Sequence, residues 1–527
     1  MYAQRDTDGQ RDDDARLSGT PANEGLRPEV QPPPSHGRVG RGWLVAVALL
    51  VGALLVLLAP EVALATGGAA AEGHGEAAAH HGPGLGSVLP MWSVIPFAGL
   101  LLSIALLPMV AEHWWHHNKN QLLVAVLWAL PVFSYLVYQA ATDHGTLGHD
   151  ALHALKHAGV EYISFIALLG SLYVISGGIL LRGDLQGKPL VNVSFLAAGA
   201  VLANVIGTTG ASMLLIRPML RTNAEREHTW HIPLFFIFLV SNIGGALTPI
   251  GDPPLFLGYL RGVPFFWTVE ALWQPWLFTA GILLAVFFAM DTVLYGREDT
   301  ASKQLDASQL EPLSIQGSAN FLLLIGVIAC VLLLSPNPEV VDFRHYYARE
   351  LGMGVLTLVS MFVTARAVRE ANNFEWGPIV EVAALFLGIF VAMIPATTLL
   401  QEHGAALGVT QPWQYFWATG SLSAFLDNAP TYVTFAALAC SSYDVCTTAD
   451  QLGPLAEHAA SIPVLEAVSL GSVFLGAGSY IGNGPNFMVR AIAEQSGYKM
   501  PSFFGYVGYA ALFLGPVYLL LTLLFLL

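Results

Sequence analysis

Charge is the first thing this chain lacks. Of its 527 residues only 11% are Asp, Glu, Lys or Arg, and 54% are hydrophobic, against about 25% charged residues in an average soluble protein. So few polar groups cannot cover a soluble chain of this size, which excludes a soluble enzyme. Bases are scarcest: 22 Lys and Arg stand against 37 Asp and Glu, a net charge of -15. No basic cluster is interleaved with aromatics, so nucleic acid is not an expected partner. The three cysteines (Cys330, Cys440, Cys446) form neither a ligand set nor a disulfide framework. Cys440 and Cys446 read as unpaired thiols unless their loop faces an oxidising compartment. No Walker motif, dinucleotide fingerprint or zinc-enzyme signature is present. Neither an ATPase subunit, a cofactor nor an enzymatic activity is therefore expected.

Long apolar runs are abundant, and many could cross a bilayer. The expected fold class is an all-α polytopic membrane protein, in contact with lipid. Residues 1–41 are polar and read as a disordered tail. Residues 42–65 read as a transmembrane helix or a signal sequence ending at Ala63-Leu64-Ala65. Residues 66–91 are rich in His, Gly and Ala and read as flexible. A first transmembrane repeat is expected over 92–295, a polar linker over 296–318, and a second, inverted repeat over 319–527.

The repeat is visible as spaced matches. Adding 220 moves Glu161 to Glu381, and Gly207-Thr208-Thr209-Gly210 to Asp427-Asn428-Ala429-Pro430. Adding 231 moves Ile250-Gly251-Asp252-Pro253-Pro254 to Ile481-Gly482-Asn483-Gly484-Pro485. The loops flanking the first segment carry Arg182, Lys188, Arg217, Arg221 and Arg226, whereas no Lys or Arg occurs between Arg369 and Arg490. Basic loops stay cytoplasmic, so equivalent loops are expected on opposite faces. Inverted repeats of this kind are found in many secondary transporters.

Four segments break the apolar pattern at membrane depth. Asn204–Ser212 and the stretch around Asp427–Thr431 read as tips of re-entrant hairpins. Asn242–Pro254 and Gly476–Asn486 read as interruptions in two discontinuous transmembrane helices. Glycine permits unusual dihedrals and proline removes donors, and unwound backbone survives there only inside protein or beside water. Carbonyls, amides and hydroxyls gathered near the midplane suit a small hard cation such as Na⁺. Asp252 and Asp427 are the candidate proton- and cation-exchanging carboxylates. Glu161 and Glu381 form a related pair, readable either as a secondary site or as helix-end charges. Arg490 reads either as snorkelling to the interface or as pairing with a carboxylate or an anionic substrate. His149, His153 and His157 share one helix face and are open to three readings: zinc ligands, a pH-sensing element or a solvated surface.

At these residues the sequence resembles the NhaD-type sodium:proton antiporters of the ArsB/NhaD ion-transporter superfamily. The resemblance is carried by Asn204–Ser212, Ser241–Leu257, Phe425–Tyr432 and Gly476–Met488, and covers roughly 92–527. It implies a dimeric inverted-repeat carrier in a bacterial inner membrane, exchanging Na⁺ or Li⁺ for H⁺. Carried over by position, the first hairpin tip would be Asn204, Thr208 and Thr209, and the second Asp427, Asn428 and Thr431. The broken helices would contribute Thr248, Asp252, Ser479, Asn483 and Asn486. Carboxylate carriers of the superfamily favour Ser-Asn-Thr at the tips, and that triplet is absent here. A sodium-coupled citrate or dicarboxylate carrier is the alternative, with efflux of arsenite or another inorganic anion behind it.

Overall fold

In this computed structural model the described residues are 85–308, 310–334, 347–446 and 451–527. Expectations for the tail, for the helix or signal at 42–65, and for residues 66–84 of the flexible segment lie outside them. Seven helices among the described residues are long and apolar enough to span a membrane: Met91–Val110, Asn118–Thr142, Thr146–Ser176, Pro189–Arg221, Trp267–Arg297, Gly377–Leu407 and Phe503–Leu526. Leucines such as Leu102, Leu127, Leu277 and Leu523 are exposed on their outer surfaces. Such apolar faces are stable against lipid, and the protein is an α-helical, multi-pass membrane protein.

In chain order the elements that matter here are α1 (Ile95–Val110), α2 (Asn118–Thr142) and α3 (Thr146–Ser176). Strand β1 (Leu180–Asp184) leads into α4 (Pro189–Arg221). Two short helices, α5 (His231–Leu239) and α6 (Pro253–Leu260), flank an irregular stretch and precede α7 (Trp267–Arg297). The segment read as a polar linker is more ordered than its composition suggested. It contains α8 (Thr300–Ser308) and strand β2 (Glu311–Gln316), which pairs antiparallel with β1 in the register Leu180↔Gln316. Helices α9 (Ala319–Leu333), α10 (Ala348–Val363), α11 (Gly377–Ala392) and α12 (Ile394–His403) follow. Then come α13 (Pro412–Ser423), α14 (Asn428–Tyr443), α15 (Ile462–Leu475), α16 (Gly484–Gln495) and α17 (Phe503–Leu521).

Helix α4 does not run straight. Gly207 adopts φ 77° and ψ 155° in its middle, a conformation open essentially to glycine alone. The chain reverses there, and the two ends of α4 meet: Asn192 and Asn223 each donate an amide hydrogen to the other at 2.8 Å. That meeting point is fixed by charge. Arg226 donates to Asp291 of α7 at 2.6 Å, and Asn192 donates to the same carboxylate at 2.9 Å. Asp291 is fully buried and also meets His231 at 2.9 Å, so removing Arg226 would leave a desolvated carboxylate without its guanidinium partner.

The second reversal uses a different device. Helix α13 ends at Ser423, and α14 begins at Asn428 with Asp427 as its cap, the carboxylate accepting from the Ala429 amide at 3.0 Å. At the open end, Tyr415 donates to Ser442 at 2.9 Å and Tyr443 donates to the Thr410 carbonyl at 2.7 Å. Small residues let the neighbours close in, as lipid-embedded helices require. A Cβ on Gly471 of α15 would lie 2.6 Å from the Phe416 carbonyl oxygen of α13. Cys440, in the last turn of α14, and Cys446 just beyond it form a disulfide, which corrects the reading of two free thiols. Their six-residue separation brings the sulfurs together where α14 ends.

Two outcomes are expected from these features. Gly207→Ala should destabilise the protein by about 1–3 kcal/mol, the usual cost of such strain, seen as a lower melting temperature in detergent. Asp184, on β1 outside the spans, is pushed up to about 6, first by burial and then by Glu225. A carboxyl raised in the folded state makes stability fall as pH rises from about 4 through 6. Asp184→Asn should remove that fall, leaving a melting temperature flatter across this range and higher than wild type at pH 7.

Candidate functional site

Both irregular stretches have the same construction. After α5 the chain passes through a 3₁₀ turn, Ile243–Leu247, and Asp252 occupies the position just before α6. After α15 it passes through Gly476–Gly478, and Asn483 occupies the position just before α16. Pro253 and Pro485 fall in the first turns, where a missing amide hydrogen costs nothing. Close backbone approach is obligatory at the first break, where a Cβ on Gly245 would meet the Gly251 carbonyl oxygen at 2.8 Å.

The reversal in α4 docks on this first break. Asn204 donates to the Gly244 carbonyl at 2.7 Å and accepts from the Leu247 amide at 2.8 Å. Thr248 donates to the Asn204 carbonyl at 2.6 Å, and the Thr208 amide donates to the Gly251 carbonyl at 2.8 Å. The α13–α14 reversal docks on the second break, with Ser479 donating to the Ala424 carbonyl. Asn486 donates to the Gly476 and Ser479 carbonyls at 2.8 and 2.9 Å, and accepts from Asn242 at 2.7 Å.

Asp252 joins all four pieces. Thr208 donates to its Oδ1 at 2.8 Å, Asn483 to the same oxygen at 3.0 Å, and Asn428 to Oδ2 at 2.6 Å. The carboxylate is 1% exposed, and donors to a buried charge bind it more strongly than neutral pairs do. Although Asp252 stands at a helix start, its side chain makes no capping bond there. Asp427 does the reverse: it caps α14, and Thr431 donates to its carbonyl at 2.8 Å. The two carboxylates singled out by the sequence thus have different surroundings.

Beside this junction lies a cavity of about 260 Å³, bordered by Thr208, Thr209, Glu381, Asp427, Asn428 and Asn483. No Lys or Arg is among the described residues that border it. Glu381 accepts from Gln121 at 2.7 Å. Glu161 stands apart from this cavity and deep within α3, not at a helix start, and is held by Arg261. Arg490 pairs with Glu494 at 3.0 Å and lies over the Tyr480 ring. The rings of His149, His153 and His157 stack in sequence 6.4 and 6.3 Å apart. Among the described residues no group of three His, Cys, Asp or Glu side chains is arranged to hold a metal ion. Gln121 and Arg261 were not anticipated as partners. Arg261 carried a readable signal, being a base nine residues after Asp252 in an apolar setting; Gln121 carried none.

Residues 86–526 match the CitMHS_2 family, described as "Putative citrate transport". No curated protein matches the chain. The family match corrects the assignment to the NhaD-type antiporters, and with it sodium:proton exchange as the function. The physical reason lies in what the four motifs encode. They specify backbone breaks and a set of amide and hydroxyl donors, and carriers with different cargoes share both. The missing Ser-Asn-Thr triplet was also a poor guide, because Thr208, Asn428 and Asn483 present the same donor types from three separate elements. The protein is a membrane transport protein and not an enzyme, and across residues 86–526 it belongs to the CitMHS_2 citrate-transport family.

Proposed function

We propose that the protein carries citrate, or a closely related di- or tricarboxylate, across the membrane together with a compensating cation, with Na⁺ as the coupling ion. The observation that carries this reading is electrostatic. The cavity beside Asp252 is bordered by Glu381 and Asp427 and by no described Lys or Arg. Like charges repel strongly where water is scarce. A polyanion entering alone would meet repulsion from whichever of these carboxyls are ionised. A cation held by Asp252, the tip hydroxyls of Thr208 and Thr209 and the backbone carbonyls of the breaks offsets it, and all of these are hard oxygen ligands. Asn428, Asn483 and the hydroxyls then provide donors for carboxylate oxygens, with Asn204, Thr248, Thr431, Ser479 and Asn486 holding the reversals and breaks in register.

We read residues 92–295 and 319–527 as inverted repeats joined by 296–318, with α4 and α13–α14 as re-entrant hairpins and α5–α6 and α15–α16 as discontinuous spans. Two observations support this. The residues paired by the spacing of the sequence, Thr208 with Asn428 and Asp252 with Asn483, are the four that meet at one carboxylate. The open end of the first reversal lies among Lys188, Arg221 and Arg226, and that of the second lies in a segment free of bases and closed by a disulfide. That pattern suits a cytoplasmic and an oxidising face, and hence a bacterial inner membrane. A homodimer in lipid is the assembly we propose.

The test is uptake of labelled citrate by proteoliposomes under an inward Na⁺ gradient, with K⁺ or choline as controls. Accumulation should require Na⁺ and should fall at least about tenfold in Asp252→Asn, the effect of ~1.4 kcal/mol, with the variant still monodisperse. Uptake that follows Mg²⁺ or Ca²⁺ would keep the cargo but move the compensating charge onto a chelate. No uptake of citrate or of any related carboxylate under any of these ions would end the reading.

A further inference from the structure

A second cavity, of about 480 Å³, opens where α3, α12 and α14 converge; Arg261, His157 and Glu161 border it, and so do the carboxylates of Asp150, Glu402 and Asp444. It shares no bordering residue with the cavity at Asp252. An aromatic wall stands between them. Phe165 and Phe386 border the first cavity and Phe390 the second, with ring centroids 4.6 Å apart for Phe165–Phe386 and 5.7 Å for Phe165–Phe390.

Arg261 is the one Lys or Arg among the described residues bordering either cavity. It is 4% exposed and forked onto Glu161: Nε donates to Oε1 at 2.7 Å and Nη2 donates to Oε2 at 2.8 Å. Two parallel bonds of this kind are how a guanidinium recognises any carboxylate, including one on a substrate. Arg261 also terminates α6, the helix that begins after Asp252. Eight residues of helix place the two ends ~12 Å apart. Helix α6 lies against α14, where a Cβ on Gly258 would collide with the Tyr432 hydroxyl. Helix α14 likewise starts at Asn428, a donor to Asp252, and carries Cys440 on the second cavity. Both helices therefore connect the Asp252 junction to the second cavity.

We propose that Arg261 is the carboxylate-recognition residue of the second cavity, and that Glu161 is an internal carboxylate occupying it while that side is shut. A carboxylate of the substrate entering from the second cavity takes the place of Glu161 on the Arg261 fork. The buried cation keeps a partner throughout, so the exchange avoids the cost of an uncompensated charge. Release of Glu161 frees α3 from the end of α6, which is the same helix whose start holds the Asp252 junction. This inference rests on the carboxylate-transport reading above.

The experiment measures initial rates of labelled citrate uptake against external citrate concentration in right-side-out vesicles, with folded yield followed by size exclusion. Arg261→Gln should raise KM at least about tenfold, as expected for truncating one member of a buried charge pair. Glu161→Gln weakens the competitor and should lower KM. A tie serving only to hold α3 to α6 predicts otherwise: Glu161→Gln would leave KM unchanged or raise it. The paired replacement Glu161→Leu with Arg261→Met would then be tolerated at wild-type KM, since apolar substitutes for buried ion pairs often are. Either of those results overturns the inference. Should these variants not fold, Arg261→Lys decides, because it keeps the charge and loses the fork. A raised KM at normal yield supports the inference, and an unchanged KM overturns it. Wild-type vesicles that take up no carboxylate would overturn the transport reading as well, whereas wild-type uptake with unmoved KM values overturns this inference alone.

Discussion

A single buried carboxylate organises the centre of this protein. Asp252 accepts from Thr208, Asn428 and Asn483, each on a different element, and without those donors its charge could not remain away from water. Each of those elements is itself broken or reversed at the point of contact. The irregular backbone is stable because its polar groups are matched: Asn204 satisfies both Gly244 and Leu247, and Asn486 satisfies Gly476 and Ser479. Remove the carboxylate and the donors lose their common partner; remove the breaks and the donors cannot reach it.

Charge is then apportioned around that centre with little to spare. The cavity beside Asp252 carries Glu381 and Asp427 and no described base, while the second cavity carries Arg261 already engaged with Glu161. The buried ionic cluster of Arg226 with Asp291 and Asn192 is committed to closing the open end of α4. Under the proposed function, an anionic cargo would enter beside carboxyl groups, with the one Arg bordering either cavity already engaged with Glu161 among the described residues. This makes charge compensation, and not shape alone, the constraint on what can be carried.

Much of the frame was legible because membrane physics leaves strong traces in sequence. Runs of apolar residues locate helices, since lipid offers their backbones no alternative partner. Glycine and proline at 207, 251, 253, 484 and 485 locate the breaks, since few other residues permit them. Less was legible in the site. Asp252 and Asp427 looked alike as letters, yet one gathers three side-chain donors and the other caps α14. Glu161 was readable as a helix-end charge, but the segment carrying His149, His153 and His157 is helical from Thr146, which places that carboxylate deep in α3 and onto Arg261. The identity of the cargo was misread for the same reason, because it depends on what surrounds a motif more than on the motif.

By itself, then, the sequence determined that the chain lives in a membrane and where its helices interrupt. Those properties follow from composition and from local backbone chemistry, which act over a few residues at a time. The tertiary structure decided which polar groups meet: that Thr208, Asn428 and Asn483 converge on Asp252, that Gln121 answers Glu381, and that Arg261 holds Glu161. These contacts join positions up to 260 residues apart, as Gln121 to Glu381 does. No local preference encodes such a meeting; it arises only when packed helices bring two buried polar groups together and neither has water to turn to.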